Sequence, residues 1–155
     1  MLKCDNIIVE KFKGVIYVVK INAARLVKSE DLNHHGTLFA GRMAEWFVEN
    51  CFICGAKETE KPENIVCIKI HGLSFNSPVR KGDIINMESY IAKAGRTSFT
   101  VYGKVTKNNS GELISDGFIT FVFIDNNGKS IPHNIVLDEN IDMEEIKVRE
   151  RALKL

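Results

Sequence analysis

The sequence predicts an α+β domain in which one long helix is buried against an antiparallel sheet, and three observations carry that prediction. From Leu38 to about Lys57 there is no proline, the residues are good helix formers, and the run is about five turns long. Nearly the whole circumference of this run is apolar or small, which suits a helix that is covered rather than laid on a surface. Four strand-like runs follow at 65–75, 84–93, 97–107 and 112–125. The later ones are separated only by Gly95-Arg96 and Asn108-Asn109-Ser110-Gly111, links short enough for antiparallel hairpins.

The remaining elements follow in chain order. Residues 7–9 and 15–22 are β-branched and aromatic, the composition of strands, with Gly14 at a turn or bulge between them. Residues 31–37 are polar and turn-like, and Thr59-Glu60-Lys61-Pro62-Glu63-Asn64 ends the helix. The run 97–107 alternates, with Phe99, Val101, Gly103 and Val105 on one face and Ser98, Thr100, Tyr102 and Lys104 on the other. After a turn at Asp125-Asn126-Asn127-Gly128, the charged tail 138–155 carries scattered anchors and is expected to be a C-terminal surface helix. Residues 1–155 are read as one domain, with no repeat and no low-complexity tract.

Composition narrows the function. The chain has 21 Lys+Arg against 20 Asp+Glu, a formal charge of +1, which argues against a nucleic-acid partner. No apolar run is long enough to span a bilayer, and the first residues lack a signal-peptide core, so a cytoplasmic location with no membrane partner is expected. Four cysteines, three of them in apolar surroundings, read as buried thiols in a reducing compartment; Cys51-x-x-Cys54 lies inside the helix and reads as packing. The four histidines have no ligand spacing, so no metal site is expected.

On the helix, Leu38, Arg42, Glu45, Glu49, Phe52 and Ala56 share one stripe at 100° per residue. Its charges either satisfy one another at the surface, or one carboxylate faces a cleft and serves as a general base. The residues alone leave both open.

Three ordered segments then point to a family. Asp31-Leu32-Asn33-His34-His35-Gly36-Thr37-Leu38-Phe39-Ala40-Gly41 resembles the D-x-N-x-x-G-x-x-F-G-G loop that opens the central helix of hot-dog-fold acyl-CoA thioesterases. Phe75-Asn76-Ser77-Pro78-Val79-Arg80-Lys81-Gly82-Asp83 and Gly95-Arg96-Thr97-Ser98 resemble its F-x-x-P-V-x-x-G-D turn and G-R-[ST]-S hairpin. Phe123-Ile124-Asp125-Asn126-Asn127-Gly128-Lys129 resembles the strand ending in D-x-N-G-[KR]. The resemblance spans about residues 31–130 and implies a hot-dog fold: an antiparallel sheet wrapped around one long central helix. It further implies a homodimer at least, possibly a trimer of dimers, with active sites at the dimer interface.

What the resemblance implies about chemistry is hydrolysis of an acyl-CoA to the free acid and CoA, with no cofactor beyond the coenzyme A of the substrate. The oxyanion donors fall on Ala40 and Gly41, where backbone N–H groups of a helix start suit a developing oxyanion. Ala40 replaces the family's first glycine. Relatives carry a carboxylate seven residues after the second glycine; here that position is Val48, and Glu49 is the nearest candidate base or nucleophile. Asn33 would orient water, His35 would donate to the thioester or act with Glu49, and Arg80 with Arg96, Thr97 and Ser98 would hold the nucleotide. The acyl chain would lie beside the helix near Phe39, Met43, Trp46 and Phe52. Two rival readings are a hot-dog 3-hydroxyacyl-thioester dehydratase or hydratase, using His35 and Glu49, and a non-catalytic acyl-CoA-binding sensor, which Val48 favours.

Overall fold

A computed structural model describes residues 19–139 and 141–155. Five antiparallel strands, β1 (Ile21–Leu26), β2 (Ile65–Leu73), β3 (Ile84–Ala94), β4 (Ser98–Lys107) and β5 (Leu113–Phe123), form one sheet in the order β1-β3-β4-β5-β2. The helix α1 (Ala40–Thr59) packs on its inner face and α2 (Met143–Leu153) on its outer face. This is the α+β arrangement that the sequence predicts and the hot-dog fold that the resemblance implies.

Alternation in β4 falls as expected. Phe99, Val101 and Val105 are buried under α1, while Thr100 and Tyr102 face outward. Gly103 is the point of closest approach: a Cβ there would meet the Phe47 ring at 2.7 Å and Cys51 Sγ at 2.9 Å, so the missing side chain lets the helix sit down on the sheet. The helix starts two residues later than the sequence suggests. Leu38 donates its N–H to Val79 O at 2.8 Å and Phe39 is extended (φ −65°, ψ 128°), and both are thereby held out of the helix.

The first strand also differs. Residues 7–9 lie outside the described residues, as does most of 15–22, and the observed strand runs on through Ala23-Ala24-Arg25-Leu26. Pairing with β3 overrides the weak strand propensity of Ala23 and Ala24.

In the tail, Asp142 caps α2 by accepting Glu145 N–H at 2.8 Å, and Glu145, Val148 and Ala152 are buried. Val148 and Ala152 close a second apolar cluster with Tyr90, Ala92, Tyr102 and Phe118. The two edges of the sheet are unlike: β2 leaves Val66, Ile68 and Ile70 exposed.

Candidate active site

The loop that leads into α1 is built by two polar side chains. Asp31 is buried, accepts Lys28 N–H at 2.9 Å, and lies 3.4 Å from Arg42 Nε on the first turn of α1. Asn33 Oδ1 accepts N–H groups from His35 at 2.9 Å and Thr37 at 3.3 Å, and its Nδ2 donates to Thr37 Oγ1 at 3.1 Å. Gly36, at φ 75°, supplies the left-handed turn between them. The Pro78-Val79 turn supports the loop from below through Leu38–Val79 and the bridge between Thr37 and Arg80.

This scaffold presents a bare helix start. Phe39 N–H donates to Asp31 O at 2.9 Å, and Phe39 O accepts Met43 N–H, but no side chain caps α1. Among the described residues no acceptor meets the N–H groups of Ala40, Gly41 and Arg42, and all three point along the positive end of the helix dipole. The exposed Phe39 ring lies against Gly41, which leaves one apolar wall beside these donors.

The carboxylates of the α1 stripe are both occupied. Glu45 Oε2 accepts from Arg42 at 2.8 Å, and Glu49 Oε2 accepts from Arg25 of β1 at 2.7 Å. Arg25 also lies over the Trp46 ring. Glu49 therefore leans toward the β1 side of the helix and shares no hydrogen bond with His35, whose ring stands beside that of His34. Val48 turns the other way, to the side where Phe52 packs on Phe121 of β5. The helix likewise divides the residues expected along the acyl chain: Met43 is in the core, Trp46 is on the β1 side, and Phe52 is on the β5 side.

Arg80 and Arg96 are not neighbours within one chain. Arg80 precedes the start of β3 and Arg96 follows its end, so the strand's eleven residues hold them about 30 Å apart. At the Arg96 end, Gly95 N–H donates to Ser98 O at 2.8 Å, Phe123 N–H donates to Thr97 O at 2.8 Å, and His133 reaches Ser98 O at 3.0 Å. The hairpin is thereby pinned near the C-terminal end of α1, away from the bare helix start.

The thioesterase superfamily profile matches residues 35–114, just over half of the chain, which includes the end of the loop from His35 onward, α1, β2, β3 and β4. The chain belongs to the thioesterase superfamily. It is 30% identical over 128 residues to an uncharacterised acyl-CoA thioester hydrolase of Bacillus subtilis, YkhA, covering 80% of this chain and 72% of that one. Its fold is similar to a Staphylococcus aureus acyl-CoA hydrolase solved with butyryl-CoA, CoA and CoA disulfide (TM-score 0.78, 26% identity, 87% of this chain and 80% of that one). It is also similar to a hexameric acyl-CoA thioesterase (TM-score 0.77, 31% identity, 87% and 86%).

In this thioesterase-superfamily chain, the motif segments include Asp83 but do not reveal the contacts that it makes. Asp83 accepts Arg80 N–H at 2.8 Å and pairs with Lys107 at 2.9 Å, contacts that hold its carboxyl below the usual range and fix the turn under the loop. Cys67 is exposed, unlike Cys51 and Cys54, because among the described residues β2 is an edge strand with no strand beyond it. Burial pushes the Cys51 thiol well up and Cys54 to about 12, so both are inert packing groups at neutral pH. Among the described residues no group of three or more His, Cys, Asp or Glu could hold a metal ion.

Proposed function

We propose that the chain hydrolyses an acyl-CoA thioester, as a dimer or larger homo-oligomer, with its active sites at the subunit seam. The observation that carries this reading is the uncapped start of α1. Ala40 and Gly41 offer free N–H groups beside an apolar wall, the arrangement a thioester oxyanion needs. The relatives named acyl-CoA hydrolases support the choice of substrate.

In the proposed mechanism the carbonyl oxygen accepts from Gly41 N–H. Water adds to the carbonyl carbon while Glu49 takes its proton, and the tetrahedral anion collapses with cleavage of the C–S bond. The CoA thiolate leaves, taking the proton back from Glu49, and the free acid remains. Glu49 must exchange its exposed pairing with Arg25 for the water, and such surface pairs are held weakly, by about 0–1 kcal/mol. Asn33 uses one Nδ2 hydrogen on Thr37 and keeps the second for that water, and the imidazole N–H of the exposed His35 is placed in the same loop to donate to the thioester.

Oligomerisation is part of the proposal. An edge strand with exposed Val66, Ile68 and Ile70 is suited to antiparallel pairing with β2 of a second copy. That pairing would bring the hairpin end of one subunit to the helix-start end of the other, so Arg80 and Arg96 of the partner subunit would flank one nucleotide. The acyl chain would then run along Phe39, Val48 and Phe52, on the seam side of the helix.

A second reading is favoured by one observation: the position where the resemblance expects a carboxylate is Val48, on the side of α1 where Phe52 packs on β5. The chain would then bind acyl-CoA without cleaving it. A panel of short-, medium- and long-chain acyl-CoAs, followed by loss of thioester absorbance, separates the two. Turnover, with a fall of about a hundredfold or more in kcat for Glu49→Gln, is expected for the hydrolase. Tight binding with no turnover anywhere in the panel would establish the binder instead.

A further inference from the structure

The outer face of the sheet holds a cavity of about 250 Å³ whose rim includes Gly95 and Ser98 of the hairpin expected to hold the nucleotide, but whose floor the acyl-CoA reading does not assign. Its floor is one cross-strand row. Lys69 of β2 is paired with Thr120 of β5, Thr120 with Thr100 of β4, and Thr100 with Lys93 of β3. His71 stands beside the row, with Nε2 2.7 Å from Thr120 Oγ1, and the two threonine hydroxyls are 2.8 Å apart.

Neither lysine would face this way in a regular strand. Cys67 lies opposite Phe121 and Ile91 opposite Val101, whose side chains point to α1, so strict alternation would aim Lys69 and Lys93 at the core face as well. A bulge between Cys67 and Lys69, and another between Ile91 and Lys93, turn both side chains outward. Bulges commonly re-aim a side chain in this way. The result is two ammonium groups at the ends of a row of two hydroxyls, with an imidazole alongside.

Among the described residues neither lysine is in an ion pair, and no acidic side chain lines the cavity. Burial, and then Lys69 and Lys93, hold the His71 imidazole below its ordinary range.

We infer that the row Lys69–Thr120–Thr100–Lys93, with His71, binds a phosphate-bearing anion on the face of the sheet opposite α1. Ammonium groups supply charge-assisted hydrogen bonds to the phosphate oxygens, and the hydroxyls and the imidazole N–H supply directional ones. The volume accommodates a phosphate or diphosphate group but not a whole dinucleotide. Two sources share this chemistry, the 3′-phosphate of CoA and a free phosphate or nucleotide. The inference does not depend on hydrolysis, because phosphate binding is measured without turnover.

The experiment is calorimetric titration of the intact chain and of its Lys69→Ala, Lys93→Ala and double variants with inorganic phosphate, ADP, CoA and dephospho-CoA. Each single change is expected to weaken phosphate and ADP by about tenfold, the size of one lost charge-assisted hydrogen bond. Phosphate should also shift the His71 ring resonances in the wild type and not in the double variant. If CoA is the source, it binds more tightly than dephospho-CoA and the gap closes in the double variant. If the source is a free phosphate or nucleotide, the gap is unchanged while ADP is lost. Equal affinity of every probe for the wild type and the double variant, or a His71 ring that phosphate leaves unmoved, would overturn the inference.

Discussion

At the scale of single residues, the surroundings of a side chain decide its role more than its type does. Asp31 and Asp83 are both carboxylates in motif segments, yet each works as a backbone clamp, one on the loop before α1 and one on the turn beneath it. Glu49 is the opposite case, a carboxylate on an exposed stripe tied only to Arg25. The three described thiols divide in the same way. Cys51 and Cys54 are sealed under the sheet with their thiols held protonated, whereas Cys67 is open at the edge of β2. In a thiol titration of the native protein, Cys67→Ser is expected to remove one fast-reacting equivalent. Cys51→Ser and Cys54→Ser should remove only equivalents that appear on unfolding. A native-state loss with Cys54→Ser would show that the helix interior is open to reagent.

Among elements, α1 and the sheet depend on close approach. Gly103→Val would drive a side chain into Phe47 and Cys51, and is expected to lower unfolding free energy by about 1–3 kcal/mol in urea titration. Ser89→Ala would strand the buried Asn50 amide, which donates to Ser89 at 3.0 Å, at a cost of about 1–3 kcal/mol. The edge strand β2 carries the proposed self-association. Ile70→Lys places a charge on its exposed apolar face and should shift the molecule to monomer in analytical ultracentrifugation, with turnover falling in parallel. An unchanged oligomer would place the subunit contact elsewhere. The strand pattern was legible because β2 to β5 alternate or carry clear turn chemistry. The bulges in β2 and β3 were not, because nothing local marks them, and they reverse the outlook of Lys69 and Lys93.

For the molecule as a whole, the two ends of the sheet carry different parts of the proposed site, with the helix start and Arg80 at one end and the Arg96 hairpin at the other. Pairing of two copies would unite them. Stability across pH is set in part by the clamp at the helix-start end. The Arg80 N–H and Lys107 lower the Asp83 pKa in the folded state, so its contribution is full above the ordinary carboxylate pKa of about 3.9 and is lost as pH falls through the depressed value. Asp83→Asn should therefore lower stability at neutral pH and flatten the decline below about pH 4 in a denaturant series. An acid limb as steep as that of the wild type would assign it to other carboxylates.

Local chemistry in the sequence determined the buried helix, the four strands after it, the loop glycine and the family segments, because each depends on periodicity, turn residues or short spacing. Tertiary structure alone decided which way Glu49 leans, that Arg80 and Arg96 stand apart, that Cys67 is exposed, and that two lysines share one outward row. Those outcomes rest on strand order, bulges and the rotation of a helix over a sheet. Such features are set by contacts between residues far apart in the chain, and no local pattern records them.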